Sequence, residues 1–277
     1  MSVTPAADDT AFVTAELNFI APGGASPVYI ASQAGDRDGA LRLAEYEKHA
    51  VDLHDARPIR SRFTLDRAGF ELVDHASAMT DFFDERQRKD IWEPEVIALI
   101  EQHAGAESVF VFDHTLRADS PELREAKQVR EPASVVHNDY TDKSASTRLR
   151  DFLPREAAAL MKGRFAIVQV WRPLARPVET APVALCDAAT TAPGDLVPTE
   201  RRAKDRIGEV MQVTYNPAQR WYYYPRIRPD EALLLKTFDS ATDGRARFVA
   251  HSAFTDPTSP PGAPPRESIE TRAFAFF

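Results

Sequence analysis

The feature that most constrains this chain is a succession of short β-branched and aromatic runs filling its second half. "RFAIVQVWRPL", "APVALCDA", "GEVMQVTYNP", "RWYYYPRI", "EALLLKTFDS", "ARFVAHSAF" and "ESIETRAFAFF" follow one another at intervals of roughly 8–20 residues, separated by Pro, Asn and Asp. Runs this short cannot each be a core helix, and no helical segments alternate with them. A sandwich or jelly roll is therefore expected rather than a βαβ sheet. The first half is mixed. "TAELNFIA", "PVYIAS" and "AESVFVFDHTL" read as strands. "DFFDERQRKDIWEPEVIALIEQHAG" reads as a helix, with Ile91, Val96, Ile97 and Ile100 at helical spacing, Pro94 opening its second segment and Gly105 stopping it. "DKSASTRLRDFLPREAAALMKG" reads as a helix broken at Pro154.

These elements are expected to form one domain over residues 1–277, mainly β with flanking helices. Residues 1–10 read as a loose tail, and the proline-rich segment 257–265 as a stiff loop, because a strand follows it. No repeat of 20 to 50 residues is apparent. The net charge of -8 at pH 7 argues against non-specific nucleic-acid binding, which needs concentrated positive charge. No apolar run approaches the roughly 20 residues of a membrane span, and no signal peptide is visible, so a cytoplasmic protein is expected. The single cysteine, Cys186, can form neither an internal disulfide nor a thiolate metal cluster, and reads as a buried thiol.

Three features carry the chemistry. In "ASVVHNDYT", His137 and Asp139 are two residues apart after a β-branched run, so on an extended strand both side chains point to one face. Such a pair alone is a weak signal. Of the seven histidines, only His251 follows it, late in the β region and before a further strand. Two imidazoles and one carboxylate on one face of an octahedral ion leave three positions open, which suits non-haem Fe(II) that binds oxygen and an organic co-substrate. Finally, "PPRESIETRAFAFF" as a strand sets Arg266, Ser268, Glu270 and Arg272 on one face and Ile269, Ala273 and Ala275 on the other. Arg266 with Ser268 offers a guanidinium fork and a hydroxyl to one carboxylate. An exposed arginine face pairing with Glu270 explains the same residues without any ligand.

Together with "GFELVDH", "DFFD", "GAESVFVFDHTLR", "VWRPL" and "YYYPRIRPDEALLLKTFDS", these segments give the chain a family likeness over most of its length. It resembles the oxygenases that group the gibberellin GA4 desaturase with AsaB-like and CmcJ-like biosynthetic proteins. The resemblance implies a double-stranded β-helix, a distorted, cupin-like jelly roll with the metal at its open end. It implies Fe(II) held by His137, Asp139 and His251, with 2-oxoglutarate and O2 as co-substrates and no catalytic residue beyond the metal site. Arg266 and Ser268 would hold the outer carboxylate of 2-oxoglutarate. Arg272 is a rival anchor on the same strand face, and Arg172 a further candidate. Gln169 departs from the asparagine of the family pattern.

The implied activity is a dioxygenase acting on a small molecule by hydroxylation, desaturation or oxidative cyclisation, in secondary-metabolite biosynthesis. Asn138 and Tyr140 alternate with the ligand pair and are expected in supporting roles. Tyr140, His114 and Tyr223 are candidate substrate contacts. The alternative from another class is a non-catalytic jelly roll that binds a small acid, with a structural metal or none. Zinc hydrolysis at the same triad would need a general base, for which there is no clear candidate. Oligomeric state and substrate identity are left open by the sequence.

Overall fold

The computed structural model describes residues 10–23, 27–36, 40–204 and 206–277; the expected tail at 1–10 lies outside them but for Thr10. The first part of the chain supplies β1 (Phe12–Ile20), β2 (Val28–Ile30), β3 (Leu41–Leu43), β4 (Tyr46–Asp55) and β5 (Phe70–Asp74). Beyond a helical stretch come β6 (Ser108–Ala118) and the two-residue β7 (His137–Asn138). The body adds β8 (Phe165–Pro173), β9 (Val183–Cys186), β10 (Leu196–Ala203), β11 (Arg206–Val213) and β12 (Trp221–Tyr223). β13 (Glu231–Asp239), β14 (His251–Ala253) and β15 (Glu267–Phe276) follow.

Among the described residues these strands form two sheets. One runs β1-β4-β12-β9-β14-β7-β11-β10-β2-β3, the other β5-β13-β8-β15-β6. Strands distant in sequence are neighbours in both, as in a jelly roll: β14 lies between β9 and β7, and β15 between β8 and β6. The two sheets close on a shared interior. Phe70, Leu72, Trp171, Leu233 and Leu235 from the smaller sheet pack there against Val183, Leu185 and Tyr222 from the larger. The architecture is a distorted jelly roll.

Helices cover the smaller sheet. Asp84 caps the helical segment by accepting from the N–H groups of Arg86 and Gln87. Helix Glu93–Ala104 follows, with a proline in its first turn, and ends at Gly105, whose φ of 68° is left-handed. Trp92, Val96, Leu99 and Ile100 lie against Val168, Val170, Leu234, Ile269 and Ala273. The buried face is thus carried by Trp92 and Leu99 as well as Val96 and Ile100, whereas Ile91 and Ile97 are only partly covered. With helices on one side and the interior on the other, β8 and β13 are buried along their whole length, which is why they read as continuous apolar runs. The second helix, Asp142–Phe152, starts at the Thr141–Ser144 capping box and stops before Pro154. Its Ala145 and Leu149 close the interior against Phe165, Ile167, Phe238 and Phe274.

Two expectations shift. The run ending "RFVAHSAF" is strand only over His251–Ala253, because the Val249 N–H is taken by the Asn138 side chain instead of a neighbouring strand. The polar "LVPTERRA" forms β10 although it carries no apolar alternation; it pairs with β11 and lines a cavity instead of the core. The segment 257–265 contains neither helix nor strand. No helix of the described residues is long and apolar enough to cross a membrane.

Trp92 is fully buried and its indole N–H donates to Thr271 Oγ1 at 2.7 Å, tying the helical layer to β15. Trp92→Ala should therefore lower the unfolding free energy by about 3–5 kcal/mol, read by urea denaturation.

Candidate metal centre

The β7–β14 pair brings the two histidines together: His251 stands directly opposite His137 in an antiparallel ladder. Their ring centroids are 4.4 Å apart. Each ring is fixed in the same way, with Nδ1 on a backbone carbonyl two residues earlier. His137 Nδ1 lies 2.8 Å from Val135 O, and His251 Nδ1 lies 3.0 Å from Val249 O. A carbonyl can only accept, so Nδ1 carries the proton and Nε2 presents a lone pair. Asp139 joins from the same face, its Oδ1 3.5 Å from His137 Nε2. One ligand atom from each of His137, Asp139 and His251 lies within 4.8 Å of the other two. Two neutral imidazoles and a carboxylate fit a divalent, redox-active ion with open positions.

The electrostatics hold His251 and Asp139 in the states a metal needs. Burial, and then the facing His137, push His251 down to about 4, so its imidazole is neutral. Burial opposes the charge on Asp139, but the Arg272 guanidinium outweighs it and holds the carboxyl well below the usual range. Arg272 Nε donates to Asp139 Oδ2 at 3.0 Å, which leaves Oδ1 turned to His137. The same guanidinium donates to Asp113 at 2.8 Å and to Thr115 at 3.1 Å, and lies 3.3 Å from Glu270. Arg272 is thus saturated by three carboxylates. As a rival anchor for a co-substrate it has no free edge, and it acts on Asp139 instead.

Asn138 fastens the pair to the rest of the fold. It is fully buried and donates to Tyr140 O at 2.8 Å and Thr237 O at 2.9 Å. Its Oδ1 accepts from Val249 N at 3.1 Å, two residues before His251.

Beside the histidines a narrow cleft of about 30 Å³ is lined by His137, His251, Gln169, Trp171, Arg266 and Glu270, among others. Arg266 is buried, lies over the Trp171 ring at 5.4 Å and donates Nη1 to Ala181 O. Burial and the Arg117 cation lower it to about 10. Arg266 Nε, Ser268 Oγ and Gln169 Oε1 are buried without hydrogen-bond partners. Orphaned buried groups of this kind call for an occupant, and a donor set of guanidinium and hydroxyl matches a carboxylate.

The other expected residues lie as follows. Tyr140 is buried at the edge of a cavity of about 800 Å³ that opens onto His137 and Asp139, and burial pushes its phenol up to about 12. His114 also lines this cavity, its ring held by Thr271 of β15 at 2.9 Å and by Glu93 of the helical layer at 3.2 Å. Tyr223 packs with Trp221 and Phe254 in a separate apolar cluster and borders neither cavity. Arg172 points from β8 to the helix side, over Phe82 and Trp92, and donates to Pro229 O. Strand alternation explains Arg172: Gln169 and Trp171 take the interior face of β8, so residue 172 takes the other. Cys186 is buried, its thiol pushed up to about 12 by burial. Sequence reading passed over Asp113, Thr115 and Arg117, whose role arises only because β6 lies beside β15.

Comparison with known proteins agrees with this geometry. A family model described as "Oxidoreductase/YMDC permease-like domain" matches residues 17–276. The chain is 33% identical over 261 residues to the hydroxylase/desaturase efuI of Hormonema carpetanum, covering 86% of this chain and 87% of that protein. It is 36% identical over 237 residues to the Fe(II)/2-oxoglutarate-dependent dioxygenase nvfI of Aspergillus novofumigatus, covering 82% and 83%. Among solved structures, the iron and alpha-ketoglutarate-dependent endoperoxidase NvfI superposes with a TM-score of 0.81 at 32% identity, over 96% of this chain and 98% of that one. The chain belongs to the family of Fe(II)/2-oxoglutarate-dependent dioxygenases and hydroxylase/desaturases.

Asn138→Ala leaves two buried carbonyls and the Val249 N–H without a partner. It should cost about 2–4 kcal/mol in urea unfolding of the metal-free protein. It should also weaken Co(II) binding, followed by titration, about 10–100-fold.

Proposed function

We propose that this protein is a non-haem Fe(II)/2-oxoglutarate-dependent dioxygenase that hydroxylates, desaturates or oxidatively cyclises a small molecule in secondary-metabolite biosynthesis. The observation that carries the proposal is the convergence of His137, Asp139 and His251 beside a cleft lined by Arg266, whose Nε has no partner, as the buried Oγ of Ser268 on the same strand has none. His137, Asp139 and His251 are the metal ligands. Arg266 and Ser268 hold the outer carboxylate of 2-oxoglutarate. The chain works in the cytoplasm as one oxygenase domain, a unity supported by the interior that both sheets share.

When bound, Fe(II), 2-oxoglutarate and O2 supply an oxidant strong enough for an unactivated C–H bond, with succinate and CO2 as co-products. The chain's own residues position and protect. The two Nδ1–carbonyl bonds keep both imidazoles in one tautomer and one orientation. Arg272 keeps Asp139 ionised and turned by its Oδ2. The aromatic lining of the cleft, Trp171 above all, keeps water from the co-substrate. Arg266 is a better anchor than Arg272, because its Nε has no internal partner whereas every edge of Arg272 is engaged. Product type depends on which carbon of the substrate faces the metal.

The test is succinate formation from 2-oxoglutarate under air with Fe(II), without added substrate. It should fall to background in His137→Ala and His251→Ala. Unchanged turnover in both variants would sink the proposal, and a protein that binds 2-oxoglutarate but never consumes oxygen would be the acid-binding jelly roll. Arg266→Gln should raise the KM for 2-oxoglutarate about 10–100-fold, the worth of a charge-assisted pair, with a smaller change in kcat. If Arg272→Gln gave that KM effect and Arg266→Gln did not, the assignment of the anchor would be reversed.

A further inference from the structure

The chain carries a net charge of -8, yet the wall of its large cavity is cationic. Each carboxylate of that wall is already engaged. Asp113 and Asp139 are held by Arg272, Asp151 lies 3.6 Å from Arg148, Glu200 pairs with Arg202, and Glu209 takes Thr141 and Lys143. Arg117 is spent on Glu270. Three half-buried arginines on the wall remain: Arg130, Arg201 and Arg206. Among the described residues none of the three has an ion-pair or side-chain hydrogen-bond partner.

The three cations are brought together by the fold. Arg201 of β10 stands directly opposite Gly208 of β11. Arg206 is two residues before Gly208, on the same face, and its Cζ comes within 3.8 Å of where a Cβ on Gly208 would stand. The Arg206 guanidinium thus lies over Gly208, the residue that faces Arg201. Burial first, and then the cations Arg130, Arg206 and Arg272, lower the Arg201 guanidinium from its ordinary value. Arg206 is lowered too, by burial and then Arg148, with Asp151 and Asp113 offsetting this only in part; like charges gathered and partly desolvated are costly unless an anion joins them. Further along β11, Gln212 stands opposite His137. Gly208 is four residues from Gln212, about 13 Å at 3.3–3.4 Å per residue. Between the two ends the cavity is bordered by Val135, Tyr140 and Val210.

We propose that the cavity selects an organic anion, an amphipathic acid whose charged oxygens are clamped by Arg201 and Arg206 with Arg130 while its apolar body reaches the metal site about 13 Å away. The inference rests on the oxygenase reading only in making that anion the substrate. The distance excludes acids of two or three carbons as the natural ligand. A neutral ligand of the same size would leave the guanidinium groups uncompensated.

The experiment is a fluorescence titration of the metal-free protein with two probes of one skeleton, anionic 1-anilinonaphthalene-8-sulfonate and neutral N-phenyl-1-naphthylamine. The Arg201→Gln/Arg206→Gln double variant should bind the sulfonate at least tenfold more weakly and the neutral probe within twofold of the unaltered protein. Retained binding of the neutral probe shows that the cavity is still folded. Dodecanoate should displace the sulfonate from the unaltered protein, and equal concentrations of sodium sulfate should not. Equal loss of both probes, no loss of either, or displacement by sulfate would overturn the inference. Succinate formation with Fe(II) and 2-oxoglutarate, measured alongside, separates the two readings. Turnover without charge discrimination leaves an oxygenase for a neutral substrate, whereas charge discrimination without turnover leaves an anion-binding cavity and removes the oxygenase.

Discussion

One side chain holds the centre in register. Asn138 lies between His137 and Asp139, and its amide reaches the backbone of its own segment at Tyr140 and of two others, at Thr237 and Val249. β7 is only two residues long and β14 only three, too little ladder to set the ligand geometry by main-chain pairing alone. The buried amide supplies what the short ladder lacks. Its NH2 fills two carbonyls and its oxygen takes one N–H, so no polar group is left over. Through Val249 it also governs the carbonyl that accepts from His251 Nδ1. The placement of both imidazoles therefore depends on one residue that ligates nothing.

A second constraint is charge. Arg272, Asp139, Asp113, Glu270 and Arg117 form a connected cluster beneath the ligands, most of it buried. Burial opposes the charges on Asp139, Glu270, Arg117 and Arg272, and neighbours of opposite sign outweigh it at each. Within the cluster Arg272 is engaged by three carboxylates, whereas Arg266 Nε and Ser268 Oγ, earlier on the same strand, are buried without partners. On the one polar face of this strand Arg266 lines the cleft, Arg272 belongs to the ion cluster, and Glu270 belongs to both.

Much of this was legible in the residues. The runs of β8, β13 and β15 mark strands because they are short and rich in β-branched, aromatic and other apolar residues, and Gly105 and Pro154 end helices for local steric reasons. His137 and Asp139 share a face by the two-residue period of a strand. Other features had no local signal. Arg172 and Gln169 are three apart on one strand and both polar, and nothing in "VQVWRPL" says which faces inward. "LVPTERRA" looks like a loop because the side of β10 that matters faces a cavity rather than a core, so no apolar alternation was needed.

The sequence by itself determined the period of each element and the kinds of donor available: two imidazoles, a carboxylate, and an arginine with a serine on one strand face. These are consequences of local geometry and side-chain chemistry, which do not depend on distant partners. Only the tertiary structure decided which groups meet. His251 opposes His137 because β14 inserts between β9 and β7; Arg272 is consumed because β6 pairs with β15. Arg201 and Arg206 share a wall of the large cavity because β10 pairs with β11 and sets Arg201 opposite Gly208. Strand order is set by how the two sheets bury their common interior, a property of the whole chain that no single segment encodes.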